Sequence, residues 1–281
     1  MSAERTSFGL ILLLYGAGLG SAAQLGKIAA TFPMLQQAYP ASEATQGLLL
    51  SVVSFVGVAL GVVAGQLVAS QGYKRMLVAG LWLGGAMSLL QATLPSLGIF
   101  MGSRLIEGAS HLAIVVAAPT LINQVTRPKQ RYLSMTLWSS FFGVAFAILA
   151  PVAPVLVAQV GLGGFFAAHG AYMIAFALVL TITLPAMAKS DATALPSLKD
   201  VWARHVSAYS SPYESPAALG WLFYTLTYVS ILTVMPPYLP EAQRIALGAY
   251  LPIASILSSF LIGAVLMRWL SAVTVVQIGF A

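Results

Sequence analysis

Cysteine is absent from the 281 residues. No disulfide framework, thiolate metal site or cysteine nucleophile is therefore available, and the redox compartment stays open. Charge is nearly as scarce: 13 basic and 7 acidic residues make up 7% of the chain, against about 25% in soluble domains. So few charges cannot cover the surface of a soluble protein of this length. The three histidines and seven acids show no metal-ligand spacing such as H-E-x-x-H, and there is neither a P-loop nor a G-x-S-x-G. No metal, cofactor or enzymatic activity is expected, an intrinsic ATPase included, so transport would have to be secondary. What is present is apolar: 59% of residues are hydrophobic and mean hydropathy is +0.90. Disordered, collagen-like and secreted disulfide-scaffold classes fall away. A polytopic membrane protein remains, with the lipid bilayer as its outer solvent. The net charge of +6 is read as basic loops at one membrane face, not as nucleic-acid binding. The first apolar run is too long for a signal-peptide core and is read as an uncleaved span.

About 20 helical residues cross a bilayer core. By that ruler the spans are 8–32, 45–69, 75–95, 98–123, 133–158, 164–187, 216–238 and 245–267, with a further run from about 270. With the N-terminus inside, Arg5, Lys74, Arg75, Arg127, Lys129, Arg131, Lys189, Lys199, Arg204 and Arg268 fall on the cytoplasmic side and Arg244 outside. Residues 1–190 read as a six-helix bundle, 191–215 as a cytoplasmic linker and 216–281 as an incomplete second bundle. Pro196, Pro212 and Pro216 mark the linker. Within it, Ser197 and Asp200 stand at capping-box spacing, and Leu198, Val201, Trp202, Val206 and Tyr209 recur at helical spacing. This predicts a short amphipathic helix along the inner membrane surface, or a linker that is helical only transiently.

The turn after the second predicted span runs from Gly65 to Arg75. Its Gly65, Leu67, Gly72, Lys74 and Arg75 resemble the glycine-rich basic signature of the major facilitator superfamily, G-x-L-a-D-R-x-G-R-K. Ala69 replaces that signature's Asp and Ser70 its basic residue. The Asp latch between halves that the resemblance implies is therefore in doubt, although Lys74 and Arg75 can still face helix C-termini. In the fourth span, Arg104 and Gly108 resemble the family's R-x-x-x-G signature. Gly143 to Pro154 is weakly similar to the antiporter pattern, with Pro151 in place, Ala150 for the preceding Gly and the final Gly pair missing. Glu107 through Pro119, with Trp138, looks most like the cyanate/nitrite-permease-like branch. The resemblance implies a secondary transporter whose first and fourth helices line a central cavity. A twelve-span transporter needs roughly 400 residues, so the chain is expected to be C-terminally truncated.

Gly57, Gly61 and Gly65, and likewise Gly16 and Gly20, are spaced for close helix packing. The charges within spans are more informative, since each costs about 2.5–3.5 kcal/mol by insertion scales. Lys27, Arg104 and Glu107 come to similar depth. Arg104, Glu107 or Gly108, and His111 share a helical face. Either Glu107 pairs with Arg104 or Lys27 and locks helices together, or one cation stays uncompensated and suits an anion. His111 is read as a proton relay or as a neutral hydrogen-bonded side chain; His169 is read as structural. Gln24, three residues before Lys27, and Trp221, Tyr224, Thr225 and Tyr228 on the seventh span could line the path.

The expectation is thus an all-α membrane protein of the major facilitator type, monomeric, moving a small, anionic solute across the cell membrane by alternating access. Lys27, Arg104, Gln24, Tyr224 and Tyr228 would bind substrate, Glu107 and His111 would couple protons, and Gly65, Gly72, Lys74 and Arg75 would form the conformational motif. The alternatives are a proton-coupled exporter of lipophilic or cationic compounds and a non-transporting membrane fragment.

Overall fold

The computed structural model describes residues 6–185, 197–212, 215–233, 235 and 238–280. Arg5, Lys189 and Pro196 lie outside the described residues, as do the side chains of Pro216, Trp221, Thr225 and Arg244. Among the described residues there are helices and no strands. Lipid offers no partner to a backbone N–H or C=O, and a helix satisfies both within one segment.

Helix α1 (Phe8–Ala30) ends at Thr31, whose hydroxyl donates to the Lys27 carbonyl at 2.7 Å. A short α2 (Phe32–Ala38) follows. Helix α3 (Glu43–Ser51), capped by Ser42, continues through a 3-10 turn at Val52–Ser54 into α4 (Phe55–Gln71). Next come α5 (Tyr73–Ala92), α6 (Leu97–Gln124), α7 (Arg131–Ser139) and α8 (Phe141–Thr183). Beyond them lie α9 (Leu198–Ser210), α10 (Ser215–Thr233), α11 (Glu241–Ala264) and α12 (Ala272–Phe280). By length and composition, Phe8–Ala30, Glu43–Gln71, Leu97–Gln124 and Pro128–Thr183 are long and apolar enough to cross a membrane. Helix α5 is 20 residues long, about 30 Å at 1.5 Å per residue.

Helix α8 is two helices, not one. Gly161 sits inside it at φ 74° and ψ 172°, a region open essentially to glycine alone. The contacts with α1 show the reversal. Before the break, Trp138 and Phe141 lie against Gly18, and Phe146 and Leu149 against Gly26, so that arm runs parallel to α1. After it, Phe176 lies against Gly16, and Tyr172 and Met173 against Gly20, so the second arm runs back. The two arms overlap the stretches read as the fifth and sixth spans, 133–158 and 164–187, the first of which begins in α7. Gly72, at φ 92°, makes the tight junction between α4 and α5.

These directions collect basic residues at one end. Ser7 donates its N–H to the Val125 carbonyl at 3.0 Å, and Lys74 donates to the Leu184 carbonyl just past the end of α8. Lys74, Arg75, Arg127, Lys129 and Arg131 therefore share the end where α1 and α5 begin and α6 and α8 finish. The Lys74 contact places a cation on a helix C-terminus, where exposed carbonyls attract it.

Two apolar cores fill the bundle. One gathers Leu14, Leu81, Leu121 and Met173 toward the basic end. The other gathers Ile28, Leu35, Phe100 and Phe166 toward the opposite end. Between them, at residues 24–27 of α1, 88–91 of α5, 103–110 of α6 and 169 of α8, runs a polar layer.

One expectation meets different geometry. The Gly16 and Gly20 pair is tightly packed, but the stripe Gly57, Gly61 and Gly65 has nothing within 4 Å of where a Cβ would stand. That face of α4 has no close neighbour among the described residues. The linker helix α9 forms with a full capping box between Ser197 and Asp200. Both Ser197 donors, with Arg204 adding a smaller pull, hold the Asp200 carboxyl below its ordinary range. The His205 Nε2 donates to the Val58 carbonyl at 3.1 Å, well before α4 ends, so α9 contacts the flank of α4 rather than its end.

Gly161→Ala is expected to destabilise the fold by about 1–3 kcal/mol, because a Cβ is strained at that φ. Gly102→Ala, where nothing lies within 4 Å of a Cβ, is expected to leave thermal unfolding in detergent unchanged or raised. Equal Tm values for the two variants contradict the hairpin.

Candidate functional site

The polar layer is built around one carboxylate. Glu107 on α6 and Lys27 on α1 form an ion pair at 2.7 Å, and Arg104, one turn before Glu107, pairs with its other oxygen. All three side chains are 0% exposed. Gln91 of α5 donates a further bond to Glu107 Oε2 at 3.1 Å. The carboxylate thus accepts from three helices at once.

Lys27 has three N–H donors, and each has an acceptor. Besides Glu107, these are Ser88 Oγ at 2.9 Å and His169 Nδ1 at 3.3 Å. Because His169 Nδ1 accepts, the proton is assigned to Nε2, which donates to the Gly20 carbonyl at 3.0 Å. Ser88 passes its own proton to the Phe166 carbonyl at 2.9 Å. The Phe166 ring also lies under the ammonium, 5.5 Å from its centroid.

Arg104 is used differently. Its Nη1 donates to the Gln24 carbonyl at 2.7 Å and to Glu107. Its Nε and Nη2 are buried and have no hydrogen-bond partner. Gln24 is pinned by its amide nitrogen to Ser110 Oγ at 2.8 Å, and Ser110 in turn donates to the Gly80 carbonyl at 2.7 Å. The conformation of α6 supports this. Gly108 follows Glu107, and a Cβ there would overlap the Val53 carbonyl. The glycine of the R-x-x-x-G pattern is therefore required by the close approach of the 3-10 turn.

His111 lies one turn beyond Glu107, and its hydrogen bonds go elsewhere. Nδ1 is 2.9 Å from Ser21 Oγ and 3.1 Å from the Ser21 carbonyl. Its ring meets Phe142 edge-on, 6.4 Å between centroids. From Phe142 an aromatic series continues through Phe146 to Tyr228 and Tyr224, with centroid spacings of 5.5, 6.1 and 5.5 Å. Tyr228 is buried and Tyr224 is exposed. These tyrosines join α10 to α8 and α11: Tyr228 meets Phe146, and the Tyr224 hydroxyl lies 3.2 Å from Ser255 Oγ. In the loop motif, Gly72 and Lys74 make the contacts described above, Arg75 is exposed, and Gly65 meets no neighbour.

The structure thus brings Lys27, Arg104, Glu107 and Gln24 into one cluster and leaves His111, Tyr224 and Tyr228 beside it. Ser88, Gln91, Ser103 and Ser110 belong to the cluster but were not expected there. Their signal was available: Ser88 and Gln91, and Ser103, Glu107 and Ser110, repeat at three and four residues within otherwise apolar helices. His169, expected to be structural, is a ligand of the Lys27 ammonium.

Residues 8–281 match the family model described as Major Facilitator Superfamily. Over 127 residues the chain is 30% identical to the protein named Inner membrane transport protein YajR of Escherichia coli (strain K12). That match takes in 45% of this chain and 27% of the relative, so the chain covers little more than a quarter of that protein's length.

Glu107→Ala leaves two cations facing each other without a counter-charge. Breaking a buried pair from one side costs about 3–5 kcal/mol. Glu43→Ala, at the exposed first turn of α3, should cost under about 1 kcal/mol. Thermal unfolding of both variants in detergent checks this; a Glu107→Ala Tm near that of Glu43→Ala contradicts it.

Proposed function

The chain belongs to the major facilitator superfamily, and from that premise we propose that it is a secondary transporter of a small anionic solute, working by alternating access. One observation carries the anionic reading. Two fully buried cations, Lys27 and Arg104, share a single carboxylate, so the layer holds one surplus positive charge. A buried uncompensated charge is costly in a bundle core, and in a membrane protein such charges mark solute and ion pathways. The narrower resemblance of the Glu107–Pro119 stretch to the cyanate/nitrite-permease-like branch points the same way.

The roles follow from the donor inventory. Lys27 has every donor engaged within the bundle, so it positions Glu107. Arg104 has donors to spare and faces the solute. Gln24 holds Arg104 through its carbonyl. When a negative group engages Arg104, it weakens that residue's hold on Glu107, which then takes up a proton. Charge is conserved across the step, one anion entering with one proton. His111 and Ser21 stand one turn away on α6 and α1 and are the proton's relay. Tyr224 and Tyr228 close the apolar side of the path. Residues 1–190 form the rocking half, and the N-terminus and the basic end face the cytoplasm. Gly72 and Lys74 tie the α4–α5 turn to the end of α8.

The aromatic series from Phe142 to Tyr224 favours a second reading, export of a lipophilic or cationic compound exchanged for protons at Glu107. Aromatic faces suit such ligands. Proteoliposomes separate the two. The protein should accumulate at least one small organic or inorganic anion under an inward proton gradient, and Arg104→Lys should lower that uptake at least tenfold. Absence of uptake across an anion panel, with altered susceptibility to lipophilic cations in cells, overturns the anionic reading.

A further inference from the structure

We infer that Arg104 is the holder of an occluded site for one compact monoanion, gripped edge-on by its Nε–H and Nη2–H. A guanidinium offers five donors in a rigid plane. Nη1 is occupied by the Gln24 carbonyl and the Glu107 carboxylate. The two nitrogens left, Nε and Nη2, are buried without partners. They are not scattered. Nε–H and one Nη2–H lie parallel along the same edge of the plane, the fork that receives the two oxygens of a carboxylate or one spherical halide. A complete recognition edge is therefore unpartnered at 0% exposure.

Among the described residues, Glu107 is the one acid paired with Arg104. Glu107 already serves two cations. The remaining acids are Glu4, Glu43, Asp191, Asp200, Glu214 and Glu241; of those described, Glu43, Asp200 and Glu241 stand in the first turns of α3, α9 and α11. An amide oxygen could meet one of the Arg104 donors, but it would remove none of the charge. The amides of the layer are also pinned through their nitrogens, Gln24 to Ser110 and Gln91 to Ser103 and Glu107. The layer around Gln24 is closely packed: a methyl group at Gly84 would overlap the Gln24 amide and Ser110. The ligand class is a halide, or a carboxylate-sized group with two acceptor oxygens.

This deepens the transport reading, on which it rests only in needing an anion to reach the layer. The ligand has two possible sources: a resident inorganic counter-ion, or the charged end of the solute. Thermal unfolding of the purified full chain in detergent tests the site, with ionic strength held constant by gluconate. Formate, nitrate, chloride and bromide are titrated in turn. The expected result is a saturable rise in Tm of a few degrees at about 100-fold excess over Kd for at least one of them. The rise should be absent in Arg104→Lys, which keeps the charge and loses the edge. A response to chloride and bromide without competition in the uptake assay identifies a counter-ion; formate acting in both assays identifies the solute's own group. If Arg104→Lys does not fold, the 15N–1H signal of wild-type Arg104 Nε replaces it and should move saturably with the anion. An Nε signal that ignores every anion, a rise equal to that in gluconate, or a wild-type response in Arg104→Lys overturns the site. Anion binding without uptake removes the transport reading and leaves the site standing. Uptake without any anion response removes the site alone.

Discussion

A single carboxylate shared by two cations is the interaction on which the rest of the bundle depends. Taking an ion out of water costs several kcal/mol even after relaxation, and here three ions are removed together. The cost is offset only where geometry is good and the remaining donors are met. Glu107 meets that condition with acceptor bonds from α1, α5 and its own helix. Lys27 meets it with Ser88 and His169. Arg104 meets it halfway. That asymmetry makes the cluster more than a lock: it holds four elements in register and leaves one fork of donors without an internal acceptor.

The surrounding fold serves this layer. Gly161 reverses α8 so that its second arm brings His169 and Phe166 back against Lys27. Gly108 lets α6 approach the 3-10 turn closely enough to bury Arg104 and Glu107. Two apolar cores close the layer above and below, keeping water from the charges and raising the strength of each contact.

Much of this was legible in the sequence, for a physical reason. Charges are so rare in an apolar helix that Lys27, Arg104 and Glu107 stood out at once, and counting residues along opposed spans placed them at one depth. The all-helical architecture was legible because the chain is apolar along its length, and the hairpin at Gly161 falls in the gap left between residues 158 and 164. What was hidden was partnership. Spacing alone could not say whether Glu107 would take Lys27 or Arg104, and it takes both. Nor could it show that Lys27 is saturated and Arg104 is not, because donor counts depend on Ser88 and His169, which arrive from helices distant in the chain. The glycine stripe of α4 misled for the opposite reason: its spacing is that of a packing face, yet nothing lies within 4 Å of where a Cβ would stand at any of the three.

The central claim is that Glu107 and Lys27 hold α1 and α6 together through direct charge coupling. A double-mutant cycle tests it most directly, with Lys27→Met, Glu107→Gln and the double variant unfolded under identical detergent conditions. The expected result is strong non-additivity, a coupling of at least about 1.5 kcal/mol, as for close, desolvated charge pairs. Additive effects, within about 0.5 kcal/mol, would contradict it and reduce the layer to three independently tolerated charges.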